Sequence, residues 1–536
     1  MTTQIFDRAA ASLRLLVGAT LLLTFFFYVA YSIHWTIIWD SAVMHYVNFL
    51  MDHGMRPYRD ISDSNMPGAY LTERWAMNLF GKGDLGWRMY DFTLSILLAL
   101  SFIVIARPFD WMAGAYAGGL FALLHGSEGP DFAVEREQVM TTLLAVAITA
   151  LFVAIRRRQP AFMALFGLAM GIAASIKPTC GPLALAVGIA ALVVLHRRGQ
   201  RLLAFVLSAL AGFSVAVATV VWFFASTHSF HDFLFVTKTL LPSYVGTRHL
   251  PFHDLLRILL PKNILLLLPI GAVLALRNRF WNYERWMLLA ATLFGAVSFF
   301  AQRKGIIYHR YPFVAFLLLL LGLEFLPALR TRGLQRSLGA LGLLVTLIVS
   351  VPHYLVEMHH TTPVSALRFT RSLTDDLAAL GSDRLDHKVE CFDLTDGCFS
   401  ALYHLGLVQN NGFTGDLLFF SPDPSPVADF YRQQFWHRAR VDPPEIFVLS
   451  NEWFQVGHTF RKLEAWPEFH RYLNANYLQV ISRAFPVPGA SYDTDQPSRY
   501  RIYIRKGSPL LEHTAFAPTS AEDADRNFKD PALPKL

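Results

Sequence analysis

The sequence predicts a polytopic α-helical membrane protein with a C-terminal soluble α/β domain, and three observations predict it. Of 536 residues, 54% are hydrophobic and only 16% charged, with a mean hydropathy of +0.36. A soluble domain carries about a quarter charged residues. Apolar runs long enough, or nearly long enough, to cross a bilayer recur up to residue 352. After residue 353 they stop, and Pro, Asp, His and Arg become common.

The runs fall at about 12–32, 88–106, 111–125, 136–155, 160–176, 180–195, 202–225, 260–276, 286–301, 311–329 and 336–352, which gives about 11 spans. Arg8 and Arg14 precede the first. A cleaved signal peptide would have a shorter apolar core and small residues before the cut, so an uncleaved first span is expected. Alternate loops read RPFD (107–110), RRRQP (156–160), HRRGQR (196–201), RNRFWNYER (277–285) and RTRGLQR (330–336). All are basic and share a side with Arg8 and Arg14, which the positive-inside rule makes cytoplasmic. Residues 33–87, 126–135, 226–259, 302–310 and everything after 353 then lie outside. The net charge of +7 reflects those loops. No basic, aromatic-interleaved nucleic-acid motif is present.

In the first outer loop, SAVMHYVNFLMDHG and GAYLTERWAMNLFG place apolar residues at helical spacing. They read as two amphipathic helices on the membrane surface, separated by the turn-rich RPYRDISDSNMPG. The predicted division is a transmembrane domain, 1–352, and an external α/β domain, 353–536. In the latter VECFDL, EIFVLS, LQVISRAF and RYRIYIRK read as strands, and PVADFYRQQFWHRA and EFHRYLNANY as helices. A loosely ordered tail follows about residue 512. Cys391 and Cys398 suit a disulfide if that domain is exported, and equally suit two free thiols. Cys180 sits in an apolar context. Neither CxxC nor HExxH occurs.

The outer side should be poor in cations, yet it holds RMYD (88–91), SIKPTCGP (175–182) and QRKGIIYHRYPF (302–313). An isolated cation there commonly anchors to lipid headgroups. The density of polar and basic groups in QRKGIIYHR favours an anionic ligand such as phosphate. Asp40, at the outer end of the first span, is either the N-cap of the following surface helix or a general base for a hydroxyl. Glu135 in DFAVEREQV is equally a supporting acid or a helix-N-terminal residue favoured by the dipole. PSYVGTRHLPFHD (242–254), with Arg248, is a lid over an acceptor or an ordinary surface loop. Pro251 argues against a helix that would bring His249 and His253 together on zinc.

The stretch WDSAVMHYVNFLMDHGMRPYRDISDSNMPGAYLTERWAMNLFG resembles the first outer loop of GT-C fold membrane glycosyltransferases. Within them it resembles the bacterial transferases related to protein O-mannosyltransferases and lipid A aminoarabinose transferases. Matching positions are Asp40, Tyr58 to Asp60, Asp63, Pro67, Arg88, Lys177, Pro178, Lys304, Gly305, Tyr308, His309 and Pro312, and the likeness covers residues 1 to about 352. Two positions depart from the pattern. Ser41 stands where a second acid is expected, which weakens a carboxylate-pair metal site, and Asn65 replaces a loop Lys.

The resemblance implies an inverting enzyme that moves a sugar from a polyprenyl-phosphate donor to a hydroxyl of a glycolipid, polysaccharide or protein. The setting would be the periplasmic face of a bacterial inner membrane. Asp40 would be the base, with Asp63 orienting it or the sugar. Arg303, Lys304, His309 and Arg310 would hold the phosphate, supported by Lys177 and Arg88, with Glu135, Tyr58 and Tyr308 behind them. No cofactor is indicated, and a divalent metal is possible but not called for. A transporter or flippase of lipid-linked sugars would share the spans, but should show internal repeats and charges in mid-span. Neither is evident.

Overall fold

The computed structural model describes residues 2–246, 249–278, 282–360, 364–421, 425–453, 456–485 and 498–513. The tail after 513 and Arg248 lie outside that set. The chain forms two compact units. The first comprises Met1–Thr36, Asn65–Ser226 and Val245–Thr362; the second comprises Ile37–Ser64, Thr227–Tyr244 and Pro363–Leu536. Part of the first outer loop and the segment 227–244 therefore pack with the C-terminal residues.

In the first unit each of the eleven apolar runs is helical, but they are not eleven equal spans. Eight helices among the described residues have the length and hydropathy to cross a membrane. A ninth span would be the pair Phe252–Leu259 and Lys262–Arg277, bent by 79°, with Pro261 at the break. The helices Trp111–Ser127 and Ala161–Ile176 have 17 and 16 residues. At about 1.5 Å per residue they fall short of a bilayer core of about 30 Å. The last apolar helix reaches His360, beyond the expected end at 352.

The basic loops gather at one end of this unit. The buried carboxylate of Asp110 pairs with Arg14 at 2.5 Å and Arg330 at 3.3 Å. Arg156 pairs with Glu284 at 2.8 Å and donates to the Ile105 carbonyl at 2.7 Å. Arg198 donates to the Ile155 carbonyl at 3.1 Å. Close helix crossings fix the bundle. A Cβ on Gly167 would come 1.9 Å from the Ala209 carbonyl oxygen, and one on Gly212 equally close to that of Ala164, the small-residue contact typical of membrane helices.

The second unit carries all four expected strands, Val389–Phe392, Ile446–Ser450, Tyr477–Phe485 and Ser498–Arg505. The first two pair parallel. The last is antiparallel to both the second and the third. The helices Pro426–Val441 and Pro467–Asn476 also stand where their patterns put them. Phe392, Phe435, Trp466 and Phe469 close the core between sheet and helices, with Phe392 and Phe469 ring centroids 4.8 Å apart. Cys391 and Cys398 form a disulfide; Cys180 is free and buried.

The two amphipathic helices of the first outer loop form as Trp39–Asp52 and Pro67–Phe80. Trp39–Asp52 belongs to the second unit. There the Tyr46 hydroxyl donates to the Leu407 carbonyl at 3.0 Å, and the Ser400 hydroxyl to that of Ile37 at 2.7 Å. The RPYRDIS turn adds a short parallel pairing, Ile61–Ser62 with Gly412–Phe413.

Candidate active site

The end of the first unit opposite the basic loops is built from three chain breaks. Helix Ala161–Ile176 stops before Pro178, which leaves Lys177 extended. Helix Arg136–Arg157 starts after the 130–132 turn, with Glu135 as its N-cap. Helix Tyr283–Gln302 ends at Arg303, which takes a left-handed backbone with φ 53°.

These breaks bring polar groups together. Lys177 donates to the Glu137 carboxylate and to Gln302 Oε1 at 2.9 Å. His309 Nε2 lies 3.2 Å from Glu137 Oε1. Arg136 donates to Asn65 Oδ1 and to the Tyr308 hydroxyl at 3.3 Å. Lys177, Arg136 and Lys304 all act electrostatically on His309, as does Glu137. Three cations thus act on one imidazole, with the carboxylates of Glu137 and Glu135 among them. A Lys in place of Asn65 would set a second cation against Arg136, whereas the amide accepts from it.

Lys177, Lys304, His309 and Tyr308 therefore lie together, with Glu135 beside Arg136 at 4.0 Å. Arg303 sits next to Lys304 with its guanidinium exposed and without an ion pair among the described residues. Two predicted phosphate ligands are already committed elsewhere. Arg88 is fully buried and pairs with Asp91 at 2.9 Å. It also donates to Ser32 Oγ at 2.9 Å and lies over the rings of Trp35 and Phe92. Arg310 is held by Glu128 and the Ile258 carbonyl, each at 2.5 Å. Both carry structural ion pairs here.

The sequence reading missed Glu137, Arg136, Gln302 and Asp91. The signal was in VEREQV, where charges of both signs open an apolar span and so need partners. Asp91 is a hub that accepts from Gln138 at 2.6 Å and lies 2.8 Å from His125 Nε2. Gln138 in turn accepts from the backbone N–H of Val134 at 2.8 Å. Asp131, in the same turn, is pushed up to about 7 by burial.

The remaining predicted residues lie in the second unit. Asp40 is in the first turn of helix Trp39–Asp52. The N-cap is Ile38, so Asp40 is not itself the N-cap residue. Asp63 accepts from the backbone N–H of Ser64 at 2.6 Å and acts on Tyr431, whose phenol is pushed up to about 12, chiefly by burial. Tyr58 is buried against Phe233, centroids 5.1 Å apart.

Backbone strain marks both sets. Seven described non-glycine residues have positive φ. Two are the predicted residues Tyr58 and Arg303, and two more, Trp39 and Val134, directly precede Asp40 and Glu135. For a β-branched Val this is a costly conformation, of the kind that concentrates at functional sites.

Elsewhere in the second unit Asp393, Asp396 and Glu452 bring carboxylate oxygens within 4.8 Å of one another. Asp393 accepts from the backbone of Gly397 and Cys398, and Glu452 from Thr395. Burial and mutual repulsion push Glu452 up to about 8. Around 242–254, a helix does begin after Pro251, which leaves His249 outside it, while the Leu250 N–H donates to the Arg303 carbonyl at 2.9 Å.

No protein-family model matches the sequence, and no curated protein matches it. Solved structures do match. ArnT from Cupriavidus metallidurans in the apo state matches with a TM-score of 0.52 at 13% identity, over 92% of this chain and 98% of that one. ArnT from the same organism bound to undecaprenyl phosphate gives 0.50 at 13% identity over the same shares. The Archaeoglobus fulgidus oligosaccharyltransferase in the apo form gives 0.51 at 12% identity, over 94% of this chain and 77% of that one. At such identities the likeness is one of fold, and it is the fold that the order of Asp40, Arg88, Lys177 and the 302–312 segment led us to expect. This chain is a multi-pass membrane protein of the GT-C fold.

Proposed function

We propose that the protein is an inverting glycosyltransferase that takes a sugar from a polyprenyl-phosphate donor and passes it to a hydroxyl acceptor at the periplasmic face of a bacterial inner membrane. The observation that carries this reading is the convergence of Lys177, Arg136 and Lys304 on His309 and Glu137. The fold in which they converge is shared with an ArnT solved with undecaprenyl phosphate. A surplus of cations at buried chain ends suits a phosphate that gains negative charge as the glycosidic bond breaks. Exposed Arg303 is a further ligand for it. Asp40 is the base that takes the proton from the acceptor hydroxyl as that oxygen attacks the anomeric carbon, and Asp63 orients sugar hydroxyls. The five basic loops at one end of the first unit support a cytoplasmic placement of that end.

The test is binding of undecaprenyl phosphate to the protein in nanodiscs, followed by native mass spectrometry. Lys304→Ala and Arg303→Ala should each weaken it by the equivalent of about 1.5–3 kcal/mol, the worth of a charge-assisted contact. With whichever lipid-linked sugar is accepted as donor, Asp40→Asn should keep binding and lose about 10²-fold or more in transfer. Unchanged lipid affinity in both cation variants would sink the proposal.

A further inference from the structure

The second unit contains a cavity of about 210 Å³, lined in part by Tyr58, for which the donor chemistry gives no occupant. It lies between the RPYRDIS turn, residues 230–244 of the helix Phe230–Gly246, and the helix Pro426–Val441, all of that unit. It is smaller than the roughly 300–1,000 Å³ of sites for drug-sized ligands, a volume suited to one small ring. Its walls include the aromatic rings of Tyr58, Phe413, Phe430 and Tyr431. Its polar rim includes Arg59, Asp232 and Gln434.

Two features set this cavity apart from a packing defect. First, the chain is held open around it. Tyr58 keeps a left-handed backbone, φ 67°. Arg438 donates to the Asp60 carbonyl at 3.2 Å and stacks over Phe413 at 5.1 Å, which fastens the turn to the helix beside the cavity. Second, among the described residues Arg59, Asp232 and Gln434 make no side-chain hydrogen bond. A carboxylate only accepts, a guanidinium only donates and an amide does both. That set matches a ligand whose hydroxyls both donate and accept, and rings around it match apolar C–H faces.

We infer that this cavity is a subsite for one sugar ring of a carbohydrate acceptor. The inference rests on the glycosyltransfer reading, which it deepens by naming the acceptor class. Aromatic faces hold the ring's C–H side, Asp232 accepts from ring hydroxyls, and Gln434 and Arg59 donate to them.

Saturation-transfer NMR on the full chain in nanodiscs tests it, with glucose, mannose, galactose, N-acetylglucosamine and galacturonic acid as probes. At least one should receive saturation. Asp232→Asn and Gln434→Ala, both mild changes at partly exposed positions, should each weaken its apparent affinity about fivefold, the loss expected for one hydrogen bond. Lys304→Ala should leave it unchanged. No saturation of any probe, or equal saturation in both cavity variants, overturns the subsite. If undecaprenyl phosphate still binds in that event, the glycosyltransfer reading survives alone. Sugar binding that depends on Asp232 in a protein with no affinity for the lipid phosphate leaves the subsite standing and removes the donor assignment.

Discussion

His309 Nε2 lies 3.2 Å from the same Glu137 oxygen that receives the ammonium of Lys177. One carboxylate thus joins the end of helix Ala161–Ile176 to the segment that opens helix Tyr311–Ala328. It also offsets part of the positive charge that a phosphate would meet. Glu137 is 1% exposed and Lys177 22%, so the pair is held where water screens it little.

That arrangement separates folding from ligand binding. Lys177→Met leaves Glu137 buried without its main counter-charge and should destabilise the protein by about 3 kcal/mol. Adding Glu137→Gln removes the stranded charge and should restore most of the thermal stability. Undecaprenyl phosphate affinity should stay low in the double variant, because the cation is still missing. Recovery of both properties together would mean that Lys177 is only a structural partner of Glu137.

Arg88 is expected to behave in the opposite way. It and Asp91 are both wholly buried and 2.9 Å apart, and Asp91 also holds Gln138 and His125. Arg88→Met should cost about 3–5 kcal/mol of stability, the price of an unpaired buried charge. The protein that still folds should bind undecaprenyl phosphate within about threefold of wild type. That margin is less than half the effect of losing a charge-assisted contact. A much larger loss at unchanged stability would return Arg88 to the donor site.

The contrast between Lys177 and Arg88 shows what the sequence could and could not convey. Apolar runs and turn residues set helix and strand positions directly, because burial in lipid and backbone hydrogen bonding act along the chain. All eleven apolar runs and all four strands were legible for that reason. Whether a given cation meets a ligand or an internal carboxylate depends on helices far apart in the chain. Arg310 and Glu128 are 182 residues apart, and no local pattern announces their pairing. The assignment of 37–64 to the second unit was hidden likewise, since it rests on contacts such as Tyr46 with Leu407. The loop composition made both helices of that region visible but not their partners.

The disulfide Cys391–Cys398 spans seven positions and fastens the strand Val389–Phe392 to the helix Cys398–Leu405. Such a loop stabilises by about 2–3 kcal/mol in the chain-entropy account. It forms only in an oxidising compartment, so it reports topology. Trapped in cells with acid and then unfolded, the thiols of 391 and 398 should take up a maleimide only after reduction, because both are buried in the fold, and Cys391→Ser/Cys398→Ser should lower the unfolding temperature. Free, reactive thiols at both positions without reductant would place this domain in the cytoplasm and overturn the proposed orientation.

Glu390 supplies a pH test within the second unit. Its side chain is fully buried in the strand Val389–Phe392. One oxygen accepts from the Asn411 N–H at 2.8 Å, and the other has no partner among the described residues. Burial pushes its carboxyl up from 4.5 to about 8. The folded state therefore binds this proton more tightly than the unfolded chain does. Stability from this group is complete below about pH 4.5, and falls as pH rises toward 8, where the folded form must ionise a buried acid. Glu390→Gln keeps the shape and removes the titration. Its stability relative to wild type should rise steadily between pH 4.5 and 8 and level off above. Thermal unfolding of both proteins across that range gives the comparison. A difference that does not change with pH would show that Glu390 titrates alike in folded and unfolded chains, and that its buried carboxyl is reached by water.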